Sequence, residues 1–331
     1  MLAAKVIQDQ GIHVEGINFF TGFCVEGHTH AIRKQDQKKQ KRNNALWVAE
    51  QLGIKLHIID IVEEYKDIVY NPKHGYGANM NPCLDCKVFM VGKAREWMEE
   101  NGFDFIVTGE VVGQRPKSQR KHTFPIIARE SGAEDRLLRP LCAKLQMPTL
   151  PEREGWVDRE KLHDFSGRSR SPQIALAKAL GIEDWAQPAG GCCFLTDENY
   201  SKKLVDLWQY RGEKRYELDD IMLLKVGRHL RPKPNFKLII AREEGEGVFM
   251  EGYQYMFPSL RMVSHTGAFA LIDGKLEDGD LELAAQILGR YSHGRDSEAV
   301  TVEAEGLPGG VSRLMTVKPF QIEDIPAAWT V

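Results

Sequence analysis

Apolar residues recur along the first 150 positions with two alternating periods. Spacing of three to four residues predicts a short helix at 1–10 closed by Gly11 and a helix at 31–52 with Ala45, Leu46, Val48, Ala49 and Leu52 on one side. The same spacing predicts a helix at 84–101 carrying Leu84, Val88, Val91 and Met98. Short runs rich in β-branched and aromatic residues predict strands at 12–19, 55–60 and 104–109. Helix alternating with strand implies a parallel α/β sheet, in which ligands collect beyond the carboxyl ends of the strands, here the loops after Phe20, Asp60 and Thr108. Such a domain normally opens on a strand, whereas this chain opens on a helix, so the sheet is expected to lack its first strand.

The rhythm changes near 151, giving an expected division into 1–150, a helical linker 151–215 and a smaller α+β domain at 216–331. Pro148 and Pro151 break the chain, and SPQIALAKALGI (171–182) reads as a helix entered at Pro172 and closed by Gly181. The Gly-rich QPAGGCCF (187–194) and a helix at 199–210 follow, and from 216 onward short strands and turns dominate.

The longest apolar runs are strand-sized, far short of the roughly 20 residues that cross a bilayer, and the first residues lack the basic and apolar regions of a signal peptide. A cytoplasmic protein with no membrane partner is expected. In a reducing compartment the six cysteines point to metal or thiol chemistry rather than to disulfides. The net charge of −3 hides three basic stretches, with six basic residues in 33–42, four in 114–122 and five in 225–237. Such stretches either form solvated faces or converge on a polyanion.

NPCLDCK sets Cys83 and Cys86 at CxxC spacing ahead of a helix, and a helix N-terminus favours the thiolate through its unpaired N–H groups. Cys192 and Cys193 lie in the Gly-rich loop. Cys83, Cys86 and Cys192 could hold three irons of a [4Fe-4S] cluster with the fourth iron open; a structural zinc site is the alternative, although adjacent cysteines suit a single tetrahedral metal poorly. Cys24 and Cys142 read as ordinary buried or loop cysteines, with His28 and His30 following Cys24. After the strand at 104–109, TGEVVGQRPKSQRKHT offers Gly109 and Gly113 for close backbone approach and Glu110, Gln114, Ser118 and Gln119 as polar ligand contacts, ahead of Arg115, Lys117, Arg120 and Lys121.

These motifs resemble a known family. NPCLDCK resembles the NPCxxCN signature of bacterial tRNA 2-thiouridine synthases, and GGCCF their second cysteine loop. TGEVVGQRPKSQ and RLLRPL resemble the TGExxGQxxSQ and LRPL segments of tRNA 4-thiouridine synthases. VGRHLRPKPNFKLIIARE (226–243) is similar to the RNA-binding domain of NFACT proteins. The first two groups are PP-loop ATP pyrophosphatases, so the resemblance implies a Rossmann-like fold of the adenine nucleotide alpha hydrolase type. It also implies ATP with Mg2+ as cofactors, tRNA as substrate, and sulfide or a persulfide carrier protein as sulfur donor.

The implied reaction adenylates a uridine oxygen and displaces AMP with sulfur carried by Cys83, Cys192 or Cys193, or by a cluster on Cys83, Cys86 and Cys192. It assigns ATP to Gly109, Glu110, Gly113, Gln114, Ser118 and Gln119. RNA falls to Arg115, Lys117, Arg120, Lys121, Arg228 and Arg231. The family's SGGxDS loop, expected immediately before MLAAKVIQDQ, is absent, so a truncated amino terminus with weakened ATP use is expected. TGEV also stands where the 2-thiouridine enzymes carry TGHY, which leaves the modified base open. The alternative reading is a non-catalytic RNA-binding protein with a structural metal.

Overall fold

A computed structural model describes residues 1–25, 43–185 and 193–331. The chain divides between Thr196 and Asp197 into two compact units.

The amino-terminal unit runs α1 (Leu2–Gln8), β1 (Gly16–Phe20), α2 (Asn44–Leu52), β2 (Leu56–Asp60), α3 (Val62–Tyr70), α4 (Cys83–Glu100), β3 (Ile106–Val107), α5 (Thr123–Glu130), β4 (Leu137–Leu138) and α6 (Ser171–Ala179). The predicted strands and the 84–101 helix are present, with the first strand displaced to its carboxyl half. Helix α2 starts where the Asn43 side chain accepts from the Ala45 and Leu46 amides, and it ends at Gly53 in the left-handed conformation. The part of the 31–52 helix before Asn43 lies outside the described residues. The sequence pattern assigned no element to 61–71, yet Val62, Tyr65 and Val69 are buried at helical spacing in α3.

Among the described residues the parallel strands form two pairs, β1 with β2 and β3 with β4, rather than one continuous sheet. Strands β3 and β4 lie between two apolar clusters. Successive strand residues face opposite sides: Leu137 joins Ile106 and the apolar faces of α4 and α5, with Ile17 and Phe19 packed against them. Leu138 joins Val6 and Ile7 of α1 and Leu176 of α6 on the other side. Among the described residues the two pairs share no hydrogen-bonded ladder.

The carboxyl-terminal unit begins with α7 (Glu198–Arg211) and α8 (Leu218–Leu223). It continues through β5 (Arg228–Lys233), β6 (Phe236–Ile240), α9 (Glu244–Glu251), β7 (Ser259–Met262), β8 (Phe269–Gly274), α10 (Asp280–Arg290), β9 (Val300–Leu307) and β10 (Val311–Val317). Its six strands form one antiparallel sheet in the order β10-β9-β7-β8-β6-β5. Strand β6 is buried along its whole length because both faces are covered. Phe236, Leu238 and Ile240 pack on the side of α10, and Ile239 faces Leu223 and Met250. Pro232, which has no N–H to give a ladder, sits where β5 slips register at the sheet edge. No helix among the described residues is long and apolar enough to cross a membrane.

Gly274 closes β8 at φ +134°, and a Cβ there would stand 2.2 Å from the Asn235 carbonyl oxygen. Gly274→Ala is expected to destabilise the carboxyl-terminal unit by more than about 1 kcal/mol, read as a lowered thermal midpoint of its calorimetric transition. An unchanged midpoint would contradict this packing.

Candidate active site

The CxxC pair opens α4. Cys83 is its first residue, and the Cys86 amide donates to the Pro82 carbonyl at 2.8 Å, which closes the first turn. Both thiols are partly exposed, and Cys86 lies 3.9 Å from the Met90 sulfur. Asp85, between the cysteines, is buried, and its carboxylate accepts from the His74 amide. The loop before the pair is therefore pinned to the helix it feeds. Asn79 adopts a left-handed φ of 54°, a conformation Asn tolerates.

From that turn the Asn79 side-chain amide donates to the Thr196 carbonyl at 2.9 Å, and the Thr196 hydroxyl donates to the Cys193 carbonyl at 2.7 Å. The second cysteine loop is thus tied to the first across 117 positions of sequence.

The third segment is the loop after β3. Gly113, at φ 77°, donates its amide to the Gln119 carbonyl at 2.6 Å and so turns residues 113–119 back on themselves. Lys117, also left-handed at φ 70°, donates from Nζ to the Tyr76 carbonyl at 2.9 Å, which joins this loop to the one preceding Cys83. Ser118 and Gln119 are buried. Gln114 Nε2 and Gln119 Oε1 are buried atoms with no hydrogen-bond partner in the protein. Buried polar atoms cost stability unless satisfied, so these amides fit a ligand with complementary polar groups. Gly109, Lys117, Arg120 and Lys121 are exposed and Arg115 is partly so.

Glu110 behaves differently from a ligand contact, because its side chain is buried at 3% exposure. One carboxylate oxygen accepts from Thr108 Oγ1 at 3.0 Å and from Arg139 Nε at 3.1 Å; the other lies 3.7 Å from Lys87 Nζ. Burial pushes this carboxyl up, but Lys87 and Arg139, with the hydrogen bonds from Arg139 and Thr108, outweigh it and hold it below the usual carboxylate range. The Arg139 guanidinium stacks over Phe124 at 4.1 Å. The Cys142 thiol donates to the Glu110 carbonyl at 3.2 Å, and burial pushes it up to about 11, so Cys142 is an unreactive buried thiol at neutral pH.

The loop preceding Cys83 is thus tied both to the loop carrying Cys193 and to the 113–119 loop. Cys192 lies outside the described residues, as do His28, His30 and the whole basic stretch 33–42. Among the described residues no three His, Cys, Asp or Glu side chains are grouped to hold a metal ion; Cys192, the third cysteine of the expected cluster, lies outside them. Reading the sequence alone missed Asn79, Asp85, Lys87, Arg139 and Thr196 as organising residues. Only Asp85, a carboxylate in the first turn of a helix, carried a local signal.

In the carboxyl-terminal unit the basic stretch 225–237 is largely consumed internally. Arg231 makes a bidentate pair with Asp206 at 2.6 and 2.8 Å and lies over Tyr210, and Lys233 meets the buried Asp280. Lys237 is buried beside Asp206 and Asp273. Arg228 alone of the two arginines is exposed, 5.2 Å above the Tyr291 ring.

Residues 1–130 match the family model of the tRNA methyl transferase HUP domain, and residues 227–330 match that of the NFACT protein RNA binding domain. The two-part resemblance read from NPCLDCK and from 226–243 is therefore shown. Among individual relatives, a protein described as tRNA-specific 2-thiouridylase MnmA from Campylobacter curvus is 29% identical over 115 residues, 34% of this chain and 31% of that one. Its counterpart from Campylobacter concisus is 30% identical over the same shares. One from Malacoplasma penetrans is 24% identical over 189 residues, 55% of this chain and 47% of that one. The match thus spans about a third to a half of the curated relatives. The solved C-terminal part of the fibronectin/fibrinogen-binding protein from Streptococcus suis aligns at 13% identity over 75% of this chain and 94% of that one, with a TM-score of 0.26, too low to carry an argument.

Glu110→Gln is expected to strand the buried Arg139 and destabilise the unit by about 3–5 kcal/mol at pH 7. Because the folded carboxyl titrates below its unfolded value, the stabilisation is complete above the unfolded value of about 4.3 and is lost as pH falls through the folded one. Denaturant midpoints of variant and parent should therefore converge in acid. A difference that stays constant down to pH 3 would contradict the ion pair.

Proposed function

We propose that this protein thiolates a uridine of tRNA with ATP as the activating substrate. The observation that supports it most is the tie of three loops, with Asn79 joining the CxxC loop to the Cys193 loop through Thr196 and Lys117 joining the 113–119 loop to Tyr76.

The uridine carbonyl oxygen attacks the α-phosphate of ATP and pyrophosphate leaves. A sulfur nucleophile then attacks the activated carbon and AMP leaves, a far better leaving group than oxide. Cys83, Cys193 or Cys192 carries that sulfur, with sulfide or a persulfide carrier as its source. Gln114 and Gln119 supply polar atoms for the nucleotide, with Gly109, Gly113 and Ser118 lining its approach, and Mg2+ accompanies the phosphates. Glu110 is a positioning residue: it fixes the loop through Arg139 and Lys87. Arg115, Arg120, Lys121 and Arg228 present cations to the RNA. In the second reading, an RNA-binding protein without catalysis, the exposed Arg228 and the carboxyl-terminal unit carry the function alone.

The test is nucleoside mass spectrometry of bulk tRNA from cells whose chromosomal copy carries Cys83→Ser. Loss of one thiouridine species is expected. An unaltered thionucleoside profile would remove the catalytic reading and leave RNA binding.

A second expectation separates the two arginines. Arg228→Glu should weaken binding of bulk tRNA and flatten its salt dependence by about one unit of slope, since an exposed cation releases a counterion on meeting a phosphate. Arg231→Glu should instead lower thermal stability, because it sets two carboxylates together at Asp206. Anisotropy titrations at several salt concentrations, with melting curves beside them, decide. Equal binding losses with no stability change would place both side chains on the RNA.

A further inference from the structure

Cys24 and Cys193 are partners in an isolated antiparallel bridge. The Phe194 amide donates to the Phe23 carbonyl at 2.9 Å. A hydrogen bond between the residue after one member and the residue before the other marks the narrow, non-hydrogen-bonded kind of cross-strand pair. In such a pair the two Cα atoms stand about 4.5 Å apart and the side chains leave the same face. That separation falls within the range of about 4.4–6.8 Å that a disulfide spans.

The frame around the pair is fixed. Phe23 and Leu195 are fully buried, the Thr21 hydroxyl lies 3.6 Å from the Cys24 sulfur and accepts from the Phe23 amide, and Thr196 holds the Cys193 carbonyl through both its amide and its hydroxyl. Both cysteines are in the thiol form and partly exposed, so a sulfur donor can reach them.

We infer that Cys24 is the resolving partner of Cys193: it discharges a persulfide carried there and leaves a Cys24–Cys193 disulfide. This rests on the sulfur-transfer reading above. The Cys24 thiolate attacks Cys193 Sγ, a new sulfur–sulfur bond forms, and the bond to the outer sulfur breaks. That sulfur departs with the electron pair and a proton as hydrosulfide, a nucleophile for the activated uridine. The outer sulfur is reduced by two electrons and the two thiols are oxidised to the disulfide, so the step balances. A dithiol reductant resets the pair. The same geometry explains why the second cysteine loop is anchored to the loop after β1 as well as to the CxxC loop.

The experiment loads the purified full chain with inorganic polysulfide, removes the excess, and measures released sulfide alongside alkylated, proteolysed peptides by mass spectrometry. Parent protein is expected to release sulfide and to give a Cys24–Cys193 linked peptide. Cys24→Ser is expected to retain one extra sulfur on the Cys193 peptide and to release sulfide at the level of a blank. Mild oxidation of the unloaded parent with diamide should give the same linked peptide, which checks the geometry with no sulfur donor present. Sulfide release unchanged in Cys24→Ser, a Cys193 peptide linked to Cys83 instead, or a Cys193 that takes up no sulfur would each overturn the inference. Thionucleoside content of tRNA added with ATP and Mg2+ to the same samples reads the parent proposal separately: a linked pair without thionucleoside keeps the pair and removes the tRNA chemistry.

Discussion

Glu110 is the group on which the rest of the site leans. Its carboxylate is drawn between Thr108 at the end of β3, Lys87 on the CxxC helix and Arg139 just past β4, and Arg139 in turn lies on Phe124 of α5. A buried charge is tolerated only when paired and hydrogen-bonded, and here the pairing draws on four separate segments. The loop that follows, with its two left-handed residues Gly113 and Lys117, can then fold back and reach Tyr76. Removing the pair would free the loop as well as the charge.

That frame continues into the two cysteine loops. The CxxC helix start is pinned from behind by Asp85 and from the side by Asn79, whose amide leads through Thr196 to Cys193. The thiols, the unpartnered glutamine atoms and the exposed cations of 113–121 therefore lie on or beside loops that are tied to one another. The carboxyl-terminal unit supplies a rigid sheet in which Arg231, Lys233 and Lys237 hold the fold together and Arg228 faces solvent.

Much of this was legible in the sequence where the signal is local. Apolar spacing located α4, β2 and the helices at 171 and 199, and the motifs singled out Cys83, Cys86 and the 109–119 loop. Short helices such as α3 and α5 escaped because a single buried face of three or four residues is weaker than the loop composition around it. The Asn79–Thr196 tie could not be read, since its members are 117 positions apart and neither is chemically conspicuous. Charge runs misled in the same way: 225–237 looks like a solvated cationic face until Asp206, 25 positions before Arg231, is found beside it. Cys24 carried no hint of Cys193, because a one-residue bridge leaves no periodic pattern.

Ultraviolet cross-linking of bulk tRNA to the protein, followed by peptide mapping, tests most directly whether RNA is delivered to the cysteine site. Cross-links are expected in peptides spanning 74–86 and 110–121 as well as around Arg228, lost together at high salt. Cross-links confined to 197–331 would contradict it and leave a protein that holds RNA without acting on it.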